Sequence, residues 1–196
     1  MAPSLEQLRQ AMAQRSAAKV PARVSSRAAV ALILREAGGG LELLLIRRAE
    51  HPRDPWSGQM AFPGGRAEPG DRDLEQTAVR EVAEEIGLDL TRSAEALGPL
   101  DEVRAMARLR PMDLTIQPFV FHLHEAAEAQ ARSEVESVHW LDLDRLLAAG
   151  ARSTHEYRHE GQLLRFPCLR VDGLVIWGLT HRMLLGLAER LRAVCG

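Results

Sequence analysis

Apolar residues recur along this chain at two different spacings, and these spacings divide it into elements. In the first twenty residues Leu5, Leu8 and Met12 fall near one face of a short amphipathic helix. Residues 20–26, with Pro21, form a connector. Arg27 to Arg35, RAAVALILR, is an almost unbroken apolar run, as expected of a strand buried on both faces. Glu36 to Gly40, EAGGG, is a turn, and Leu41 to Arg48 returns as a second strand, so the pair predicts a hairpin. Pro52, Pro55 and Gly58 then mark a loop as far as Gln59. From Leu74 the period becomes helical: Leu74, Ala78, Val82 and Ile86 make one apolar stripe and predict a helix over 74–86. Asp89 to Ala94 reads as a connector, Ala96 to Val103 as a strand, and Arg104 to Pro111 as a basic loop edge. Thr115 to Leu123 is a strand in which Pro118 suggests an edge or a bulge. Residues 125–132 are a polar, alanine-rich excursion. Glu134 to Leu143 is a strand leading into a helix that Asp142 can cap. Strands at Gln162–Val171 and Leu174–Trp177 flank a Val-Asp-Gly turn. The chain then runs into an amphipathic helix with Leu179, Met183, Leu184, Leu187 and Leu191 on its inner stripe. There is no internal repeat.

The helix over 74–86 carries the chemistry. Glu81 and Glu85 are four residues apart and Glu81 and Glu84 three apart, so one side of the helix holds all three carboxylates. Charged residues at these spacings more often make a solvated, salt-bridged face. Three clustered anions also repel one another, and a hard divalent cation with oxygen ligands, Mg²⁺ above all, relieves the repulsion. Arg80 can pair with one carboxylate and fix its orientation. Gly64 and Gly65 permit a backbone turn that side chains would block, and can direct a carbonyl toward the same cation.

The ordered run from Phe62-Pro63-Gly64-Gly65 to Arg80-Glu81-Val82-Ala83-Glu84-Glu85-Ile86-Gly87-Leu88 resembles the Nudix box, the signature of the Nudix hydrolases. Asp71 stands where the general box has Glu, and the spacer after it is one residue longer. The coenzyme A diphosphatase branch of the family is similar in both respects. That branch carries a further motif upstream, which Leu44-Leu45-Ile46-Arg47-Arg48-Ala49, Arg53, Gly58 and Phe62–Gly65 resemble. Ile46 replaces a Thr, and four residues rather than three separate Arg53 from Gly58. Ile176-Trp177-Gly178-Leu179-Thr180, entering the last helix, is similar to the branch as well.

The resemblance implies an α/β fold: the Nudix α/β/α sandwich, a mixed sheet between helices, over residues 27–196, with residues 1–26 a helix and connector. It implies hydrolysis of the diphosphate of coenzyme A, or of an acyl derivative, to 3′,5′-ADP and 4′-phosphopantetheine or its acyl form. Another nucleoside diphosphate derivative (a nucleotide sugar, a dinucleotide or a nucleoside triphosphate) is the alternative substrate. A non-catalytic binding module is less in keeping with an intact box. Glu81, Glu84, Glu85 and the Gly64 carbonyl are the implied ligands of Mg²⁺ or Mn²⁺. Glu84, Glu81 and Arg80 are the implied catalytic group, with Arg80 orienting a glutamate, and Glu134 or Glu136 is a further candidate ligand or base. Arg48, Arg53, Gly58, Phe62 and Gly65 are the candidate substrate contacts. Trp56 in the same loop either packs on the core or stacks on a base, and core packing is preferred. His122 and His124, on a strand without a supporting motif, read as structural.

Composition narrows the partners. At 46% hydrophobic and 27% charged residues the 196-residue chain is of ordinary globular make-up. A net charge of −2 provides no bulk positive field for nucleic acid. Lys19 is its one lysine, and arginine suits bidentate phosphate contacts, although codon bias accounts equally well for most of the arginines. Cys168 and Cys195 suggest neither a disulfide framework nor a zinc site. No apolar run reaches membrane-spanning length, and the first residues lack the core of a secretory signal. A cytoplasmic protein with a small-molecule substrate and no membrane partner is expected. A homodimer, common in the family, is possible, with the first helix contributing.

Overall fold

Helix α1 (Leu5–Ala13) starts at a reciprocal cap: Ser4 accepts from the Gln7 amide, and the Gln7 side chain accepts from that of Ser4. The next element, strand β1 (Ser26–Ala37), organises the core. It is buried without a break from Ala28 to Leu34, and its pleat sorts those residues to two sides. Ala28, Val30, Leu32 and Leu34 enter one apolar cluster; Ala29, Ala31 and Ile33 enter the other. Strand β2 (Gly40–Arg48) repeats the division, with Leu41, Leu43 and Leu45 on the first side and Leu44 and Ile46 on the second. An unbroken apolar run is thus what a strand with two covered faces requires. These features belong to a computed structural model that describes every residue except 1–2, 22–23, 53, 55, 108–109, 125–126, 133, 160 and 196.

After β2 come β3 (Met60–Ala61), β4 (Gly64–Arg66), helix α2 (Leu74–Ile86), the single turn α3 (Leu90–Ser93), and strands β5 (Ala94–Pro99), β6 (Val103–Ala107), β7 (Arg110–Leu123) and β8 (Val135–Asp142). Among the described residues these eight strands form one mixed sheet. β1 and β7 run parallel at its centre and the other pairings are antiparallel. Helix α4 (Leu143–Leu147) follows, capped by the Asp142 carboxylate, which accepts from the Arg145 amide. Strands β9 (Arg152–His159), β10 (Gln162–Val171) and β11 (Leu174–Trp177) form a second, three-stranded sheet, and α5 (Gly178–Cys195) ends the described chain. One face of the main sheet is covered by α2 through Ala78, Val82 and Ile86. The other is covered by α5, through Met183, Leu184, Leu187 and Leu191, and by α1, through Leu8, Ala11 and Met12. This is the expected mixed sheet between helices. No helix among the described residues is long and apolar enough to cross a membrane.

Several elements differ from the reading of the sequence. The hairpin of β1 and β2 is short: only Leu34–Ala37 pair with Gly40–Leu43. Lower down, β1 pairs instead with β4, and β2 with β3, so the sheet forks. The strand expected over 96–103 is two strands, and the basic loop edge over 104–111 is mostly strand. The break between β5 and β6 falls where Glu102 turns inward. Its buried carboxylate accepts from the Val20 amide, the Thr115 hydroxyl and Arg27, and so ties the N-terminal connector to the sheet. Pro118 lies in the central strand, not at an edge. It occurs where β7 changes partner from β6 to β5, and its carbonyl accepts from Leu100 on that side, so its missing N–H interrupts no continuous ladder. The Val-Asp-Gly turn has Asp172 at φ 52° and Gly173 at φ 79°, the left-handed pair of a tight hairpin.

The stripe of α5 sets the stability of its layer. Leu187→Ala, at a fully buried position, should cost about 2–5 kcal/mol in urea denaturation. Leu185→Ala, two residues away and 41% exposed, should stay within about 0.5 kcal/mol.

Candidate active site

The chain crosses between the two branches of the fork at Phe62–Pro63, and α2 packs against β1 and β4 beside the crossing. A cavity of about 720 Å³ opens there. Its charged lining includes Arg80, Glu81, Glu84 and Glu85 of α2, together with Arg48, Asp54 and Glu134. Arg66, Glu68, Gln59 and Thr180 line it as well, and an apolar stretch of its wall, with Met60, Leu114, Ile116 and Met183, comes from the layer between the sheet and α5.

Helix geometry explains why α2 presents this group. Asp73 caps its start by accepting from the Gln76 amide, and Gly87, at φ 70°, ends it in the left-handed conformation. Between these caps, the stripe that buries Ala78, Val82 and Ile86 leaves Arg80, Glu81 and Glu84 beside the cavity, with Glu85 at the margin of the core. Two glycines let the backbone close on the acids. Gly64, at φ 147°, could not carry a Cβ without striking the Ala29 carbonyl oxygen, and its N–H donates to Glu85 Oε2 at 2.9 Å. A Cβ at Gly65 would strike the Glu81 carboxylate.

Arg80 was expected to pair with one carboxylate, but it joins three. Its Nε and Nη2 reach the two oxygens of Asp71 at 3.0 and 3.1 Å, and Nη1 reaches Glu81 at 3.0 Å and Glu84 at 3.2 Å. Nη2 also donates to the Arg66 carbonyl. Arg80, aided by the Glu68 N–H and the Thr77 hydroxyl, holds the Asp71 carboxyl well below the usual carboxylate range. Glu85 behaves in the opposite way. Burial pushes its pKa up to about 7, against the Gly64 N–H and Arg48, while Glu81 and Glu134 add repulsion. Burial also raises Glu81, with Arg80 opposing and Glu84 and Glu134 reinforcing the shift. Arg48 donates to Asp54 at 2.7 Å and stands 3.8 Å from Glu85.

The cavity thus brings together Arg48, Phe62, Gly64, Gly65, Arg80, Glu81, Glu84, Glu85 and Glu134. Gly58 turns the preceding loop at φ 69° and is not among the lining residues. Glu136 is exposed and acts electrostatically on His139 in company with Arg47, away from that lining. Arg53 lies outside the described residues. Trp56 packs against the core, lines the cavity and donates its ring N–H to the Met106 carbonyl. The sequence reading gave Asp54 no role and placed Thr180 only in the run that enters the last helix. Nothing in the local sequence marks Asp54 as the partner of Arg48. Thr180 closes the apolar wall by donating to the Met60 carbonyl, 120 residues away in the chain.

A model of the NUDIX domain matches residues 25–160, and the chain belongs to that family. It is a hydrolase acting on phosphorus-containing anhydrides. An uncharacterized Nudix hydrolase, NudL of Yersinia pestis (strain Pestoides F), is 29% identical over 153 residues, which span 76% of this chain and 71% of the relative. A MutT/nudix family protein from Enterococcus faecalis superposes over 97% of this chain and 70% of its own, with a TM-score of 0.57 and 18% identity. An Ap4A hydrolase from C. elegans does so over 61% and 81%, with a TM-score of 0.51 and 22% identity. At these identities the two structures share the fold.

Nudix hydrolases generally use divalent metal ions. Among the described residues no three acidic, histidine or cysteine side chains converge as a ready-made cage, because Glu81 and Glu84 are turned to Arg80, and Glu85 to Gly64 and Arg48. The chemistry of the donor set nevertheless fits such an ion. It consists of oxygen alone, and two of its carboxylates, Glu81 and Glu85, are raised by burial and by the charge of neighbouring glutamates, a condition that a cation reverses. Glu85 therefore carries a stability cost. Its pKa is higher folded, about 7, than at the ordinary 4.5, so stability falls as pH rises between those values and stays lower above them. Without divalent cation, Glu85→Gln should raise the unfolding free energy at pH 8 by on the order of 2–3 kcal/mol and change it little at pH 4, as read by thermal denaturation at both pH values.

Proposed function

We propose that this protein is a Mg²⁺- or Mn²⁺-dependent diphosphatase that cleaves coenzyme A, or an acyl derivative, to 3′,5′-ADP and 4′-phosphopantetheine or its acyl form. The observation that carries the reading is the cavity wall on which Glu81, Glu84 and Glu85 stand beside Arg48 and Arg80, with Gly64 and Gly65 closed against two of the carboxylates. The motif-like run from Leu44 through Gly65, together with Ile176–Thr180, supports coenzyme A as the substrate.

Glu81, Glu84, Glu85 and the Gly64 carbonyl would hold the ion. When bound, it neutralises the diphosphate and makes water a better nucleophile. Arg80, clamped on Asp71, keeps Glu81 and Glu84 from swinging apart and is a positioning residue. Arg48 can exchange Asp54 for a phosphate oxygen, since a guanidinium binds either anion with the same fork. The water's proton passes to a glutamate at the cavity. Glu84, whose side chain is 59% exposed, and Glu134 are the candidates. Attack in line on one phosphorus expels the other phosphate.

One observation favours a different nucleoside diphosphate substrate: the extra residue between Arg53 and Gly58 alters the loop that would read the nucleotide. Hydrolysis assays with Mg²⁺ on coenzyme A, ADP-ribose, NADH and a nucleoside triphosphate separate the two readings. Release of 3′,5′-ADP from coenzyme A, reduced at least 100-fold in Glu84→Gln, is the expected result; turnover of another compound alone would remove coenzyme A. Asp71→Asn should lower kcat about tenfold or more with little change in KM, because it loosens Arg80 without touching substrate.

A further inference from the structure

The polar, alanine-rich segment that precedes β8 is fastened to the helix that carries the glutamates. Among its described residues, Ala127 and Ala129 pack against the apolar cluster beneath α2. Its backbone then closes the end of that helix. The Gln130 N–H donates to the Ile86 carbonyl and the Arg132 N–H to that of Glu85, each at 2.9 Å. The Arg132 side chain adds a third tie, with Nη1 donating to the Ala83 carbonyl at 2.9 Å. Three of the last four carbonyls of α2 thus accept from this segment, at the end where the helix dipole favours a cation. The guanidinium also lies against Gly87, where a Cβ would come within 2.6 Å of its Nη2. Beyond Arg132 the chain turns: the Val135 N–H donates to the Arg132 carbonyl at 2.7 Å, and Val135 pairs with Arg48 of β2. The Glu134 carbonyl accepts from the Ala49 N–H at 2.9 Å. Glu134 therefore stands at a turn with one leg pinned to α2 and the other to β2. It lines the cavity, and its charge acts on both Glu81 and Glu85. Repulsion opposes that placement, and the two pins hold the backbone there against it.

We propose that Arg132 is a positioning residue: by clasping the end of α2 it holds Glu134 at the cavity as a fourth carboxylate that the reaction uses. This role rests on the diphosphatase reading, but not on coenzyme A being the substrate. If Arg132 only closed the helix, its loss would loosen Glu81, Glu84 and Glu85 as well, and would be felt whether or not Glu134 kept its carboxylate.

The test is a double-mutant cycle in kcat, with Mg²⁺ and whichever of the four compounds above is turned over. Arg132 is exposed, so Arg132→Ala is expected to fold. It should lower kcat about 10- to 100-fold and leave KM within about twofold. Glu134→Gln should lower kcat about 100-fold or more. Adding Arg132→Ala to Glu134→Gln should then cost less than about twofold further. Amide hydrogen exchange of the metal-free protein supplies a readout apart from activity. Arg132→Ala should speed exchange at Gln130 and Val135 by about tenfold or more and leave Val82, in the middle of α2, within about twofold. Equal losses from Arg132→Ala in both backgrounds, or faster exchange at Val82, would mean helix closure alone and overturn the proposal. Full kcat in Glu134→Gln would overturn it too, while leaving the diphosphatase reading intact. The expected cycle on a compound other than coenzyme A would uphold it and remove the coenzyme A reading. Absence of turnover on all four compounds would remove the diphosphatase reading and the role of Glu134 with it.

Discussion

Like charges on one face of one helix set the conditions for everything near the cavity. Glu81, Glu84 and Glu85 are brought together by the helical period, and Glu85 is drawn to the edge of the core, where its charged form is disfavoured. The surrounding residues offset that repulsion in different ways. Arg80 is anchored through two hydrogen bonds to Asp71 and offers its remaining nitrogen to Glu81 and Glu84. Arg48 is anchored on Asp54 and faces Glu85. The backbone of Gly64 and Gly65 comes close enough to donate to one carboxylate and to lie against another. Each arginine is thus fixed by an acid outside the glutamate group, which lets it steer those glutamates without being neutralised by any single one of them.

The fork in the sheet provides the space. Because β1 turns from β2 to β4, and β2 from β1 to β3, the chain must cross between them at Phe62–Pro63, and both core layers meet at that crossing. The α2 side supplies charge and the α5 side supplies hydrocarbon. Long-range polar ties hold the α5 side in place. Thr180 bonds the Met60 carbonyl, and the buried Arg190 bonds the Arg15 carbonyl and Asp101, while Arg15 pairs with Asp101. Helix α1 is thereby joined to α5 and to the break between β5 and β6, so the apolar wall is braced from both ends of the chain.

Some of this was legible in the residues themselves. Local periodicity determines which face of α2 is apolar and which is acidic, and the continuous apolar run of β1 announces a strand covered on both sides, because these are properties of a few neighbouring residues and the geometry of their own element. Glycines at 64 and 65 were legible for the same reason: a left-handed or closely approached backbone leaves few alternatives. What the sequence could not determine is where partners change. The handover at Pro118, the inward turn of Glu102, the strand made from a basic stretch after 103, and the separation of Glu134 from Glu136 all depend on which element lies alongside. The pairing of Arg48 with Asp54, and the contact of Thr180 with Met60, likewise join residues whose local sequences carry no mark of each other. The acidic face was therefore set by the chain's own sequence, while the cavity that gives it a second, apolar wall was decided by tertiary packing, since two layers with no local signal for one another meet only when the sheet forks.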